Sequence, residues 1–465
     1  MGAKALCHVF LLYAFFVQFY LHNSVIASQD IARSESEALE QAGSKRETLE
    51  ITIGGGTYAP APSPQCPPPP PPPCPPQPPA PPPPPPLLSR LDKARLVLLN
   101  FTKFIDDPKG YTKNWNQNTK DTCKFNGIRC AIYPNTNEKA VAGIDLNQAG
   151  ISGINKTSLS LYGILDRISE LTFFHVNSNN FSGSIPNQIT KFPFFFELDV
   201  SNNKLVGEFP KEVLQAVQLV FLDLRFNYLY GPLPPQLFQL PLDFIFINNN
   251  KFSQCLPDNF GSTPARYLTF ANNQFTGPIP RSIGNASKTL TEVLFLGNKF
   301  EGCLPYEIGY LKKATVFDVS KNELTGPIPL SFACLNKIQF LNLAHNKFYG
   351  PVPEIVCQLP SLRNNGNLSL SDNYFTEVGP ECRKLIKSNV LNVNNNCIPG
   401  FPNQRSYNEC YEFSCKVKSC PNEKYLSYIP CKGPWGQSST IVSDSSASPL
   451  DPVTYKSLKP HRLRL

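Results

Sequence analysis

Histidine, tryptophan and methionine are scarce in this chain. Its 465 residues include 5 histidines, 2 tryptophans and 1 methionine. Only His175 and His345 lie in the central, repetitive part of the sequence, where the repeat spacing described below would hold them about 33 Å apart. The sequence also lacks metal-ligand spacing, a glycine-rich phosphate loop and a nucleophile elbow. We therefore expect a protein that is not an enzyme and that uses no cofactor and no metal.

Apolar runs of membrane-spanning length are also missing from the sequence. The run from Val9 to about Leu21 is shorter than the roughly 20 residues that a spanning helix needs. Small residues follow it and give a cleavage point just before Ser28, so residues 1–27 are predicted to be a secretion signal. We expect an extracellular mature protein without a membrane span.

Charge of one sign does not dominate the chain. Lysine and arginine number 43 against 35 aspartates and glutamates, a formal net charge of +8 that is spread over the whole length and partly lies in the tail, residues 436–465. Nucleic acid is therefore not an expected partner. A weakly basic secreted protein could associate with an acidic polysaccharide, but a solvated, disordered tail explains the same residues.

Cysteine, by contrast, is abundant. Of the 15 cysteines only Cys7 falls in the predicted signal, which leaves an even number and predicts disulfides formed in the secretory pathway. Five Asn-x-Ser/Thr acceptors for glycans support the same compartment. They are Asn100, Asn155, Asn180, Asn285 and Asn367.

Many of the 48 prolines form a tract near the N-terminus. Residues 28–86 are predicted to be a disordered linker followed by a polyproline II rod that runs to Pro86. Cys66 and Cys74 flank seven prolines, which would hold the two thiols about 25 Å apart. These cysteines are not expected to bond to each other; an intermolecular disulfide, a free thiol and a bond elsewhere in the chain all stay open.

The most informative pattern is a repeat. Apolar residues stand three and five positions before a recurring asparagine, which predicts a short strand with one buried face, and an apolar-x-Gly-x-Ile/Leu-Pro motif follows. An asparagine amide at this position can bond backbone groups of a turn that have no ladder partner. Residues 138–378 are therefore predicted to form an α/β solenoid of about ten repeats with a parallel inner sheet. The asparagines are Asn179, Asn203, Asn227, Asn250, Asn273, Asn298, Asn322, Asn346 and Asn373.

Both ends of the solenoid are predicted to be capped. Residues 87–137 contain helical spacing between Leu88 and Ile105, with Ser89 placed to cap the helix, and so predict a helical N-terminal cap. Residues 379–435 are rich in cysteine and predict a C-terminal cap closed by disulfides.

Several motifs resemble those of the plant leucine-rich-repeat extensin family. They include Cys123–Cys130 with the intervening Lys-Phe-Asn-Gly-Ile-Arg, Glu301–Pro305 (Glu-Gly-Cys-Leu-Pro) and Pro402–Ser406 (Pro-Asn-Gln-Arg-Ser), and the likeness runs from about Leu88 to Cys431. The resemblance implies a secreted cell-wall protein whose repeats bind a small basic, cysteine-rich peptide of the rapid alkalinisation factor type in wall integrity and growth. Pectin is a further possible partner. The C-terminal Ser-Pro extensin domain usual in that family is not expected in this chain.

Two other functions stay open. Secreted leucine-rich-repeat proteins similar to polygalacturonase inhibitors block microbial wall-degrading enzymes, and a proline-rich wall protein can be purely structural. The cap motifs favour the extensin family over the inhibitor.

The spacing of the cysteines allows some pairings to be predicted. Cys123 is expected to bond to Cys130. Cys334 and Cys357 share a slot in adjacent repeats and are expected to pair, although Cys357 could instead reach Cys382. Cysteines in the same slot two repeats apart, such as Cys255 and Cys303, would be about 10 Å apart and are not expected to bond.

The best candidate site is the solvent face of the inner sheet. Aromatic anchors ringed by acids would suit a peptide rich in arginine and lysine, because desolvated aromatic rings contribute binding energy while acids steer a basic ligand. The alternative is that the acids only keep the sheet soluble. The predicted peptide-binding residues are Glu197, Asp199, Phe221, Asp223, Phe244, Phe246, Tyr267, Glu292 and Asp318.

Overall fold

The computed structural model of the chain describes residues 88–364, 366–421 and 425–431. The predicted signal, the linker with its proline tract, Cys66 and Cys74, and the tail from residue 436 lie outside the described residues.

The described residues form the predicted solenoid with a parallel inner sheet. This sheet has 12 strands, and every pairing from β3 onward is parallel, whereas β2 pairs antiparallel with β3 and covers the first edge. Its strands are β2 (Ile128–Ile132), β3 (Lys139–Asp145), β6 (Phe173–His175), β8 (Glu197–Asp199), β10 (Phe221–Asp223), β12 (Phe244–Phe246), β14 (Tyr267–Thr269), β16 (Glu292–Leu294), β18 (Val316–Asp318), β20 (Phe340–Asn342), β22 (Asn367–Ser369) and β24 (Leu391–Asn392).

The apolar-x-Gly segments of successive repeats form a second parallel sheet, which the repeat pattern does not predict. It has 10 strands. They are β5 (Leu159–Ser160), β7 (Phe181–Gly183), β9 (Lys204–Gly207), β11 (Tyr228–Gly231), β13 (Lys251–Gln254), β15 (Gln274–Gly277), β17 (Lys299–Cys303), β19 (Glu323–Gly326), β21 (Lys347–Val352) and β23 (Tyr374–Val378). The short strands β1 (Ile105–Asp106) and β4 (Ser152–Gly153) pair antiparallel with each other.

The helices of the described residues lie in the caps and between the strands of the repeats. The α-helices are α1 (Arg90–Phe101), α2 (Glu354–Cys357), α3 (Pro360–Arg363), α4 (Pro380–Lys387) and α5 (Tyr407–Lys416). The 3₁₀ helices are Thr102–Phe104, Thr122–Lys124, Ile154–Lys156, Asn187–Lys191, Lys211–Gln215, Pro235–Gln239, Phe260–Ser262, Arg281–Lys288, Tyr306–Tyr310 and Leu330–Cys334. Most of those in the repeats begin directly after the motif's proline, which occupies the N-cap position with an extended backbone.

The inner-sheet strands are in register through their buried residues. Leu198, Leu222 and Ile245 pair across successive strands and are fully buried. The residues two positions later, such as Val200, are buried as well. The two-residue alternation read from the sequence therefore produces one continuous apolar core along the coil, as a stack of incomplete units requires.

The recurring asparagines bind each coil to the one before it. Asn322 accepts a hydrogen bond from Phe300 N through Oδ1 at 3.0 Å, and its Nδ2 donates to Phe295 O, Val319 O and Ser320 O at 3.0 to 3.1 Å. One amide thus serves backbone groups of two successive coils that have no sheet partner. Asn396 makes the same set of bonds beyond β24. The predicted boundary between residues 378 and 379 is therefore wrong: the solenoid continues for one more repeat because Asn396 still satisfies its turn.

The N-terminal cap is built around α1 and Trp115. Ser89 Oγ accepts from Asp92 N, as the predicted helix cap requires, and α1 buries Leu98 and Phe101 against the first repeat. The Trp115 ring stacks on Phe125, and its Nε1 donates to Asn126 O at 2.9 Å. The cap therefore covers the open edge of the core with its own aromatic cluster.

Five disulfides are present in the described residues. Cys123 bonds to Cys130, as predicted. The predicted Cys334–Cys357 pair is wrong, because α4 brings Cys382 to Cys357, the alternative left open by the sequence. Among the described cysteines Cys255 and Cys415 are not in disulfides, and both are exposed. The remaining bonds are Cys334–Cys431, Cys303–Cys420 and Cys397–Cys410.

The correction has a physical reason. The segment after α5 returns along the repeats instead of ending at the cap, so that Cys420 and Cys431 reach coils that precede them by 117 and 97 residues. Equivalent positions in successive repeats predict bonds only between repeats, so they cannot predict the bonds made by Cys420 and Cys431, which lie outside the repeats.

Replacing Asn322 with alanine should lower the free energy of unfolding by about 2–4 kcal/mol, because it leaves buried backbone groups without partners. Urea unfolding of the secreted protein measures the change. Asn187→Ala, at an exposed asparagine outside this set, should stay within about 0.5 kcal/mol of the parent. Equal effects of the two changes would contradict the role given to the asparagines.

Peptide mapping without reduction should recover Cys357 linked to Cys382 and Cys334 linked to Cys431. Mass spectrometry of the linked fragments distinguishes these bonds from Cys334–Cys357. A fragment that joins Cys334 to Cys357 would show that the C-terminal segment does not return to the repeats.

Candidate functional site

The outward side chains of the inner sheet form columns that run along the solenoid. The strand register places the first outward residue of each strand beside its equivalent in the next coil. We call this surface the inner face. Its first column reads Phe173, Glu197, Phe221, Phe244, Tyr267, Glu292, Val316 and Phe340.

The aromatic residues predicted for the site lie together. The rings of Phe244 and Tyr267 stack with centroids 5.1 Å apart and planes within 2° of parallel, and Phe221 lies 5.6 Å from Phe244. Phe221 and Phe246 are only 8% and 9% exposed, because neighbouring rings cover them, whereas Phe244 and Tyr267 are half-buried. A ligand on this surface would therefore meet the faces of Phe244 and Tyr267 first.

The expectation that the predicted acids are exposed is wrong for most of them. Asp223 and Asp318 are fully buried, and Asp199 and Glu292 are each 6% exposed. The side chains of Asp199, Asp223 and Asp318 turn toward the backbone, because each accepts a hydrogen bond from the N–H two residues later. Asp318 Oδ1, for example, accepts from Ser320 N at 2.8 Å. Glu197 is the most accessible of these acids, with about a fifth of its side chain exposed.

Arg225 covers the Asp223 carboxylate. Its guanidinium pairs with Asp223 Oδ2 and lies 5.2 Å from the centroid of the Phe246 ring, and it is itself buried. Burial raises the pKa of Asp223 to about 7 despite the adjacent arginine. Asp223 is therefore part of a buried pair beneath the aromatic residues and does not present a free charge to a ligand.

His175 joins the same surface at its N-terminal end. Its Nε2 lies 3.0 Å from Glu197 Oε2, and its ring lies 4.9 Å from Phe173 and 6.4 Å from Phe221. Burial opposes protonation, but the hydrogen bond to Glu197 and the charges of Asp199, Glu197 and Asp145 outweigh it and raise the pKa of His175 above its usual value.

The sequence analysis missed an apolar continuation of the inner face. Leu294 and Val316 form a small buried cluster with Ala271, and Leu296 and Phe340 pack against it half-buried. Reading the same outward positions through every repeat finds these residues. The inner face therefore runs from a polar end with His175 and Glu197, across stacked aromatics, to an aliphatic end.

The predicted glycan acceptors bear on this surface at one position. Asn100, Asn155, Asn285 and Asn367 are exposed, whereas Asn180 is half-buried and its Nδ2 donates to Thr157 O at 2.7 Å. Asn367 pairs with Phe340 in the first column. A glycan on Asn367 would therefore limit the inner face at its aliphatic end.

The two histidines of the described repeats lie far apart. His175 and His345 lie on or beside β6 and β20, seven strands apart in the inner sheet. Within residues 88–431, apart from the gaps, no three histidine, cysteine or acidic side chains are grouped to hold a metal ion. Over the same residues, no helix has both the length and the apolarity to cross a bilayer.

The His175–Glu197 pair should make stability depend on pH. Because the folded state raises the pKa of His175, the pair stabilises fully below the unfolded value of about 6.5, and this contribution is lost as pH rises through the raised folded value. The loss of stability caused by His175→Gln should be larger at pH 5.5 than at pH 8, as measured by thermal unfolding.

His345→Asn provides the control. Its side chain is half-exposed and lies 3.4 Å from Asp372, so solvent screens this pair and the pH-dependent difference should be smaller. A His175→Gln effect that is the same at both pH values would argue against an ionised pair.

Two family models match parts of the chain. A leucine-rich-repeat N-terminal domain covers residues 91–131, and a leucine-rich repeat covers residues 265–286. These matches agree with the cap around α1 and with one coil of the solenoid.

Solved structures share the fold. The ectodomain of the plant receptor kinase GASSHO1/SCHENGEN3 from Arabidopsis thaliana, in complex with CASPARIAN STRIP INTEGRITY FACTOR 2, is 22% identical with a TM-score of 0.53, over 66% of this chain and 44% of that one. A plant ice-binding protein is 21% identical with a TM-score of 0.53, over 71% of this chain and 98% of that one. At such identity the likeness shows the solenoid fold alone.

Relatives in sequence are more informative. Leucine-rich repeat extensin-like protein 2 from Arabidopsis thaliana is 46% identical over 234 residues, 50% of this chain and 29% of the relative. This chain thus spans less than a third of that relative's length. Leucine-rich repeat extensin-like protein 7 from the same plant is 41% identical over 347 residues, 74% of this chain and 77% of the relative. Together with the capped solenoid, this extent of identity shows that the chain belongs to the leucine-rich repeat extensin-like family.

Proposed function

We propose that the chain is an extracellular cell-wall protein whose inner face binds a basic, cysteine-rich signalling peptide of the rapid alkalinisation factor type. The observation that carries the proposal is the accessible Phe244–Tyr267 stack on the inner face. Family membership supports the cell wall as the compartment.

The aromatic stack supplies an anchor for such a peptide. Aromatic residues contribute most binding energy where surrounding groups already exclude water from one side of the ring. Phe221 and Phe246 pack beneath and beside the stack and so hold Phe244 in one position before a ligand arrives. Little conformational freedom is left for binding to remove.

Charge favours a basic ligand. The inner face and its margin carry more acids than basic side chains, although most of these acids are buried. Asp223 is paired with Arg225, and Asp243 with Arg266 at 2.7 Å. Arg266 also lies 5.9 Å from the Phe244 ring centroid. Glu197 at the polar end is the acid that a lysine- or arginine-rich peptide could reach, because a fifth of its side chain is exposed although it is paired with His175. The acids are Asp145, Glu197, Asp199, Asp223, Asp243, Glu292 and Asp318.

The same charge distribution weighs against the other functions. Pectin is acidic, so an acidic inner face would repel it. An inhibitor of a polygalacturonase and a purely structural protein need no desolvated aromatic anchor on this surface. Both alternatives become outcomes of the test below.

Truncation of the anchor should weaken peptide binding. Phe244→Ala should reduce the affinity of the secreted chain for a basic, cysteine-rich peptide about 30-fold, the loss typical of an anchor residue. Glu197→Gln should weaken binding less, and mainly at low salt, because it removes a partly exposed charge. Isothermal titration calorimetry at two salt concentrations measures both effects.

Matched controls lie outside the inner face. Phe104→Ala removes an exposed phenylalanine of the N-terminal cap, and Glu323→Gln removes an exposed acid of β19; neither should change the affinity. Unchanged affinity of Phe244→Ala would place the peptide elsewhere. Capture of a polygalacturonase but of no basic peptide would favour the inhibitor function instead.

A further inference from the structure

A second concave surface lies away from the inner sheet. It is an open groove of about 810 Å³, bounded by three successive coils of the solenoid and by the returning C-terminal segment, and none of its lining residues belongs to an inner-sheet strand. We call it the strap groove. The residues that carry the following argument are Pro278, Arg281, Glu301, Tyr306, Glu307 and Tyr425.

The wall of the strap groove is held in place by covalent and hydrogen bonds. The Cys303–Cys420 and Cys334–Cys431 disulfides attach the returning segment to two coils. Between them, Leu330 N donates to Leu426 O at 2.8 Å. The groove is therefore formed before any ligand arrives, which lowers the conformational cost of binding.

Tyrosines form one side of the strap groove. Tyr306 stacks on Tyr425 with ring centroids 5.9 Å apart and 20° between planes, and the Tyr428 ring lies edge-on at 5.7 Å. Tyr425 and Tyr428 remain 42% and 50% exposed. Exposed aromatic rings held in fixed orientation are a common feature of binding surfaces.

The prolines of the strap groove influence which backbone conformation a bound peptide can have. Pro278, Pro280, Pro305 and Pro421 line it and provide no N–H donor. The prolines disfavour addition of a ligand to this wall as a β-strand, because such addition needs alternating donors and acceptors. A polyproline II strand forms no backbone ladder and packs its rings against aromatic faces, so it fits a wall of this composition.

Charge selects among proline-rich strands. Among the described residues that line the strap groove, Arg281 is the only basic one. Its guanidinium is paired with Glu307 at 2.6 Å and lies over the Tyr306 ring. Asp258 and Glu301 add two further acids. Glu307 Oε2 is buried without a hydrogen-bond partner among the described residues. The described lining residues, with three acids and one arginine, thus have a net charge of −2, which disfavours pectin and favours lysine or arginine side chains.

We propose that the strap groove binds an extended, lysine-bearing proline-rich polypeptide in the polyproline II conformation. Proline rings pack on Tyr306 and Tyr425, and lysine side chains reach toward Glu301 and Asp258. This site is separate from the inner face, because none of its lining residues belongs to an inner-sheet strand. The inference does not depend on the function proposed for the inner face.

Titration of the full secreted chain with synthetic peptides tests the proposal. The probe is a ten-residue peptide of prolines with two lysines. Replacing its prolines by glycine and serine should weaken binding at least tenfold, because the preformed conformation is lost, and replacing its lysines by glutamates should abolish binding. Equal binding of the proline and glycine-serine peptides would overturn the proposal.

Variants locate the site on the protein. Tyr425→Ala should weaken binding of the lysine-proline peptide at least tenfold, and Glu301→Gln should reduce the salt dependence of binding. Tyr411→Ala, at an exposed tyrosine of α5 that does not line the groove, is the matched control and should bind as the parent does. Phe244→Ala should also leave this affinity unchanged, which separates the result from the inner-face experiment.

Two results would reject the proposed ligand. Full affinity of both Tyr425→Ala and Glu301→Gln would show that the peptide binds elsewhere. Binding of a neutral cello-oligosaccharide, but not of the lysine-proline peptide, in a manner lost in Tyr425→Ala would make the groove a saccharide site.

Discussion

The asparagine amide that links successive coils is the interaction on which the rest of this structure depends. Each coil turns sharply after its inner strand, and the backbone groups of that turn cannot reach a strand partner. An amide oxygen and two amide hydrogens at one position satisfy groups in two coils at once, as Asn322 and Asn396 both show. Because the same bonds recur at nearly every coil, strand register and core alternation stay constant, and outward side chains align in columns. The inner face is a consequence of that constancy.

Alignment in columns also explains why most acids of the inner face are buried, although their positions in the strands suggest that they are exposed. An aspartate at the third position of an inner-sheet strand can turn toward the backbone N–H two residues later, as Asp199, Asp223 and Asp318 do. Asp318 and Asp223 are buried in this way although they lie on the solvent side of the sheet. The residues left accessible, Phe244, Tyr267 and Glu197, belong to the first column, which has no such backbone donor.

The C-terminal segment adds a surface that repetition cannot produce. After α5 it leaves the end of the solenoid and returns to earlier coils, where two disulfides hold it. Its tyrosines then meet residues from the outer turns of the repeats, including Tyr306 and Arg281. The solenoid therefore has two different surfaces. The inner face repeats from coil to coil, whereas the strap groove does not repeat and differs in composition and backbone chemistry.

The sequence by itself determined the fold class, the helix cap at Ser89, the buried strand positions and the Cys123–Cys130 bond, because each follows from local spacing that recurs or closes within a few residues. It also identified the aromatic members of the candidate site. Only the tertiary structure decided the depth of the acids, the extra repeat at Asn396, the second sheet, and the partners of Cys334 and Cys303. Those features depend on what neighbouring coils and a returning segment place over a residue, and such neighbours are distant in sequence and outside the repeat period.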